Sequence, residues 1–219
     1  MALTDGRDEW AAAAASVGAS VDTLLLIRQV HGATVAFGTS EQTPWPRPEA
    51  DVIATADPHV AVGVRVADCV PILLAEDSGR AVAAVHAGWR GTTARAAIAG
   101  VEAMQRYGVR PERLVAAVGP SIGPCCYEVG EGTFEAFREA GHREALLGRW
   151  FARTGPGKYH LDLWRATRDQ LEGAGVLPAN VHVAGLCTMT HQETFHSYRA
   201  HGKRAGRMLA AIRTTQPAR

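Results

Sequence analysis

Three apolar runs decide the fold: Val60-Ala61-Val62-Gly63-Val64-Arg65-Val66, then Val70-Pro71-Ile72-Leu73-Leu74, then Ala81-Val82-Ala83-Ala84-Val85. Each is short and rich in β-branched or small apolar side chains, the pattern of a strand buried on both faces. Ala67-Asp68-Cys69 separates the first two, and Asp77-Ser78-Gly79 reads as a turn before the third. From Thr92 to Tyr107 the apolar residues Ala94, Ala97, Ile98, Val101 and Met104 recur at helical spacing. That helix should stop at Gly108 and Pro111.

Towards the N-terminus, Arg7 to Val17 reads as a helix and Thr23 to Val30 as a strand. After a turn at His31-Gly32, Ala33 to Phe37 pairs with a neighbour. Thr43 to Glu49 contains Pro44, Pro46 and Pro48, so it belongs in an exposed loop. Towards the C-terminus, Leu114 to Val118 is a strand, and the loop Gly119 to Pro124 follows. Helices are predicted over Glu131 to Ala140, Glu144 to Trp150 and Leu163 to Gly173, a strand over Val181 to Leu186 and a last helix over Ala205 to Arg213. Strands and helices mix without strict βαβ alternation. The expectation is a single α+β domain over residues 1–219, a mixed β-sheet packed with helices.

The net charge is +1 with dispersed charges, so there is no basic footprint for nucleic acid or anionic lipid. Met1 to Trp10 carries Asp5, Asp8 and Glu9 and lacks the apolar core of a secretory signal. No run is long enough to span a membrane. Four cysteines without C-x-x-C spacing read as reduced thiols of a cytoplasmic protein, and Cys125-Cys126 is a vicinal pair that bridges only with strain.

Three segments each carry a donor for a soft transition metal: Gln29-Val30-His31-Gly32, Ala67-Asp68-Cys69-Val70-Pro71 and His86-Ala87-Gly88-Trp89-Arg90-Gly91. Two imidazoles and a thiolate at strand ends suit Zn2+ and leave a fourth position open, the arrangement of catalytic rather than structural zinc. Taken singly, Cys69 reads rather as a small core residue and His31 as part of a turn, and it is the combination that points to a metal. Thr92 or Thr93 is the expected cap of the following helix, whose start would attract phosphate beside the Arg90 guanidinium. The loop Gly119-Pro120-Ser121-Ile122-Gly123-Pro124-Cys125-Cys126-Tyr127-Glu128 reads two ways. It lines a ligand and offers a nucleophilic cysteine, or it is a plain tight connection.

Together with Cys187-Thr188 and Phe195-His196-Ser197-Tyr198-Arg199, these motifs resemble the YfiH family, also called the laccase-domain or polyphenol oxidase family. The matches run in order from about residue 24 to 213, and His-Ala-Gly-Trp-Arg-Gly is the most specific. The resemblance implies zinc held by His31, Cys69 and His86. It also implies purine nucleoside phosphorylase activity on adenosine, inosine, guanosine and methylthioadenosine, with adenosine deaminase activity beside it. An older assignment in the family is copper-dependent oxidation of polyphenols. The chain departs from the family in two places. Only residues 1–28 precede Gln29, where the family carries a Gly-Gly-x-Ser-type loop and an Asn-Leu pair. Ala200 also stands where the family tends to carry a second Arg after Arg199.

The expected partners are therefore a purine nucleoside and phosphate, acting on a monomer or homodimer. Cys69, His86, Asp68 and Arg90 are the expected catalytic residues, with Asp68 moving protons. Arg90, Gly91, Thr92 and Arg199 are expected to bind substrate or phosphate. Three rivals are a copper oxidase, a metal-free hydrolase using a Cys69–His86 pair, and a binding module with structural zinc closed by Cys187 or His191.

Overall fold

A computed structural model describes residues 7–42 and 45–214. Most of the segment read for a secretory signal, and Thr43 and Pro44 of the predicted loop, lie outside these residues. The elements are α1 (Arg7–Ser16), β1 (Leu24–Leu26), β2 (Val35–Phe37), β3 (Val52–Thr55), β4 (Ala61–Val66), β5 (Val70–Glu76), β6 (Val82–Ala87), α2 (Trp89–Thr93), α3 (Ala96–Gln105) and β7 (Leu114–Val118). They continue with β8 (Glu128–Gly130), α4 (Glu131–Glu139), α5 (Glu144–Trp150), β9 (Phe151–Gly155), β10 (Lys158–Leu161), α6 (Leu163–Gly173), β11 (Val181–Val183), α7 (Tyr198–His201) and β12 (Met208–Arg213).

The main sheet runs β11-β7-β5-β6-β3-β2 and mixes parallel with antiparallel pairs. A smaller sheet runs β1-β4-β12, and a third, β8-β10-β9, is hydrogen-bonded to neither, its Phe151, Tyr159 and Leu161 joining the core on the helix side of the main sheet. Strand alternation sorts the side chains into layers. In β6, Val82 and Ala84 join Leu25, Ile27, Ile53, Val62 and Val64 between the main sheet and the β1-β4-β12 sheet. Ala83 and Val85 face the other way, onto Val101 and Met104 of α3, Leu163 and Leu171 of α6, and Phe137, Leu147 and Trp150. On the far side of the small sheet, Trp10 and Ala14 of α1 cover Leu24 and Leu26. Burying each such Leu or Ile side chain contributes roughly 1.5–3 kcal/mol.

Two expectations fail, each for a physical reason. The helix predicted from Thr92 to Tyr107 is two helices, broken at Arg95, whose backbone is left-handed (φ 63°, ψ 40°). The predicted final helix is the strand β12, paired antiparallel with β4 along its whole length, from Met208 opposite Val66 to Arg213 opposite Ala61. Met, Leu and Ala favour a helix in isolation. Here Leu209 and Ala211 fill the α1 side while Ala210 and Ile212 fill the inter-sheet core. A strand apolar on both faces carries no alternation to betray it. The strands β3, β8, β9 and β10 are additional to those predicted.

At the β5–β6 turn, the Arg80 guanidinium grips the buried Glu76 carboxylate at 2.5 and 2.8 Å and holds its pKa down to about 2. A carboxyl depressed in the fold stabilises it above the ordinary value near 4.5, and that stability is lost as pH falls towards about 2. The gap in denaturation midpoint between wild type and Glu76→Gln should therefore be widest near neutral pH and narrow steadily through that acid window.

Candidate metal centre

The topology brings the three predicted donors together. His31 follows β1, Cys69 lies in the β4–β5 turn, and His86 sits in β6 with Pro71 as its cross-strand partner. One ligand atom from each of His31, Cys69 and His86 lies within 4.8 Å of the other two. The imidazole centroids are 4.9 Å apart with the planes at 77°. His86 is buried, Cys69 half-buried and His31 exposed, so the group opens to solvent on one side. Among the described residues neither Cys187 nor His191 joins it.

The room for the sulfur comes from Gly88, where an added Cβ would lie 2.7 Å from Cys69 Sγ and 3.5 Å from His31 Cδ2. Only glycine fits. Backbone strain also collects here: His31 has φ 63° and Asp68 φ 83°, conformations that cost of order 1–3 kcal/mol each. Both are held by buried carboxylates. Asp51, fully buried, accepts the N–H groups of Val30 (3.2 Å), His31 (2.9 Å) and Gly32 (2.6 Å), and its Oδ1 lies 2.8 Å from His86 Nδ1. Asp68 accepts the Thr188 hydroxyl on Oδ1 and the Arg199 N–H on Oδ2, both at 2.6 Å.

Burial by itself would raise the Cys69 thiol and lower His86. The hydrogen bonds and charges they exchange with each other, His31 and Asp51 outweigh it, bringing the thiol down to about 7 and His86 up to about 9. Burial likewise raises Asp51, and the His86 and backbone donors more than offset it, leaving its pKa lowered. A thiolate next to imidazole nitrogens, one oriented by a carboxylate at its other nitrogen, is the donor set that Zn2+ or another soft ion takes. The residues therefore fit a metal, with Gly88 leaving space and His31 at the open edge.

The predicted anion contacts divide. Arg90 is exposed, its guanidinium 4.2 Å from the Trp89 ring centroid. Arg199 is also exposed, lies 5.1 Å from the Tyr127 ring centroid and donates to the Glu128 carbonyl. Gly91 is buried against the Gly32 and His86 carbonyls. Thr92 is neither cap nor surface contact. Gly88 precedes the first turn of α2 with no side-chain cap, and Thr92 is buried with its N–H on the Gly88 carbonyl. The predicted phosphate-binding helix start is thus displaced by one turn.

Sequence reasoning missed Asp51 and gave Tyr127, inside the candidate loop, no role of its own. Asp51 precedes β3, a strand too short for its sequence pattern to announce, so no local signal marks it. Tyr127 lies within electrostatic reach of Cys69, Asp68, Arg90 and Arg199. Burial, with the Cys69 and Asp68 charges, raises its pKa above the ordinary phenol value. It therefore stays a neutral hydrogen-bond donor at the edge of the centre.

Fold and site together define a mixed α+β domain with an open His–Cys–His centre at its strand ends. The chain belongs to the multi-copper polyphenol oxidoreductase laccase family, whose model matches residues 5–215. It is 42% identical over 201 residues to a purine nucleoside phosphorylase of Deinococcus radiodurans, covering 91% of this chain and 73% of that protein. It is 36% identical over 206 residues to adenosine deaminase RL5 from an unknown prokaryotic organism, covering 91% and 78%. Among solved structures, YlmD from Geobacillus stearothermophilus superposes with a TM-score of 0.85 at 33% identity, covering 96% of this chain and 79% of that one. The first two of these relatives carry enzyme names, and among the described residues no helix is long and apolar enough to cross a membrane.

Proposed function

We propose that this chain is a zinc-dependent purine nucleoside phosphorylase, acting on adenosine, inosine, guanosine and methylthioadenosine, with adenosine deaminase activity at the same centre. The observation carrying the reading is the convergence of His31, Cys69 and His86 within 4.8 Å around space that Gly88 leaves open. Free thiols at all four cysteines fit a reducing cytoplasm, and residues 1–219 act as one catalytic unit.

His31, Cys69 and His86 would hold the ion, which supplies Lewis acidity and acidifies water. In phosphorolysis, a phosphate oxygen forms a bond to ribose C1′ as the C1′–N9 bond breaks and the base leaves. Arg90 and Arg199 present cationic forks to the anion, and the neutral Tyr127 hydroxyl donates a hydrogen bond beside them. The Trp89 ring beneath Arg90 restricts where that fork points. In deamination, water oxygen adds at purine C6 and ammonia departs. Asp68 was expected to move protons. With both oxygens bonded to Thr188 and Arg199, its part here is to fix the strand end carrying Cys69 and the helix carrying Arg199.

The test is elemental analysis of purified protein beside product identification from adenosine plus phosphate. Zinc with adenine, ribose 1-phosphate and some inosine is expected. Oxygen uptake on a phenol with none of those products would assign the copper oxidase instead. Arg90→Ala should raise the phosphate KM by about tenfold or more, the worth of a charge-assisted hydrogen bond, with deamination largely spared. Equal loss of both activities would make Arg90 structural.

One rival has an observation of its own, the Cys69 thiol lowered to about 7 beside His86. Turnover that survives strong chelation but is lost on thiol alkylation would belong to that pair as a metal-free nucleophile.

A further inference from the structure

We propose that Cys125, Cys126 and Cys187 form a second metal site, a three-thiolate cup for a soft monovalent ion of the Cu(I) class. Their sulfurs all lie within 4.8 Å of one another, and none belongs to the His31–Cys69–His86 group. All three are free thiols, with Cys187 buried, Cys126 half-buried and Cys125 exposed, so an ion can enter from the Cys125 side.

The cup is built by tight backbone geometry. Gly123 accepts the N–H groups of Cys126 (3.0 Å) and Tyr127 (3.1 Å), closing a turn that carries the vicinal pair. Opposite it, Ser121 and Cys187 form a parallel β-bridge, and the Thr188 N–H donates to the Ser121 carbonyl at 3.1 Å. The Gly123 N–H points at Cys187 Sγ, 3.2 Å away, a donor that stabilises negative charge on that sulfur. A Cβ at Gly123 would fall 2.6 Å from Trp164 and 3.2 Å from Cys187 Cβ, so the approach of the two segments requires glycine.

The donor chemistry selects the ion. Among the described residues the group holds no imidazole and no carboxylate, only sulfur. Closed zinc sites complete four ligands, all-thiolate ones included, whereas this group offers three sulfurs and no fourth donor, a set that suits the softer, lower-coordinate Cu(I). Binding releases thiol protons to solvent as each sulfur joins the ion. No electron is transferred.

The experiment uses the full chain with Cys69→Ser, which removes the thiolate of the first centre. Cu(I) is offered anaerobically from its bicinchoninate complex. The Cys69→Ser protein should withdraw one equivalent and develop the near-ultraviolet absorption of a copper–thiolate bond. Adding Cys125→Ser, an exposed position that spares the fold, should weaken retention by at least about tenfold, and adding Cys126→Ser should weaken it further. Circular dichroism of each variant checks that it is folded. Equal copper retention by Cys69→Ser and by Cys69→Ser/Cys125→Ser/Cys126→Ser would overturn the proposal. So would a disulfide among the three in glutathione-reduced protein that takes up no copper.

Discussion

Replacing Cys69 with alanine is expected to give a folded protein that has lost its zinc and with it adenosine turnover. The sulfur is the only anionic donor of the group, flanked by two imidazoles, so its loss leaves two neutral ligands and a half-empty coordination sphere. Losing an outer partner of a ligand typically weakens metal binding 10–100-fold, and losing the ligand itself should exceed about 100-fold. The fold should tolerate the change. Cys69 is half-buried in a turn between two strands that pair through other residues, and one sulfur is a small deletion, costing about 1 kcal/mol. A second readout is independent of activity. The thiolate helps raise His86 to about 9, so in the metal-free variant the His86 ring should titrate at lower pH, as followed by its ring protons in NMR. Zinc content and turnover equal to wild type would remove both the ligand assignment and the mechanism built on it.

The three donors were legible because each sits where an apolar run must end. Pro71 after Cys69 and the glycines around Trp89 mark strand and helix edges whatever the tertiary fold. Seven of the strands and the helices α1, α4, α5 and α6 were legible for the same reason, since periodicity and breakers act locally. What stayed hidden depends on contacts across the sheet. Met208 to Arg213 reads as a helix until β4 is placed beside it and α1 and the inter-sheet core are seen to claim opposite faces. Arg95 breaks the helix in a left-handed conformation that no Gly or Pro announces. Asp51 and Tyr127 belong to the site only through partners distant in sequence, 35 residues from Asp51 to His86 in the clearest case. The Cys187 grouping with Cys125 and Cys126, against the alternative of closing the first centre, was likewise decided by the Ser121–Cys187 bridge.

Asp51→Asn is the sharper test of how the centre is built, because it keeps size and shape while removing charge. Asp51 Oδ1 serves His31 N–H and His86 Nδ1, and Oδ2 serves Val30 and Gly32 N–H. An asparagine has one acceptor oxygen and one NH2. If the NH2 takes the Oδ1 position it confronts the His31 amide, and if it takes the Oδ2 position it confronts those of Val30 and Gly32. Either way a buried donor loses its acceptor, at about 1–3 kcal/mol for each amide affected. The left-handed backbone at His31 loses part of its restraint at the same step. Thermal unfolding should therefore shift down by several degrees. Zinc affinity, measured below that transition where the variant is folded, should fall about 10–100-fold. His86 should titrate lower, since the Asp51 hydrogen bond is the largest influence raising it against burial. A residue that merely fills space would move the unfolding temperature alone. If zinc affinity and the His86 titration stay at their wild-type values while only stability drops, Asp51 is a packing residue and His86 takes its orientation from β6.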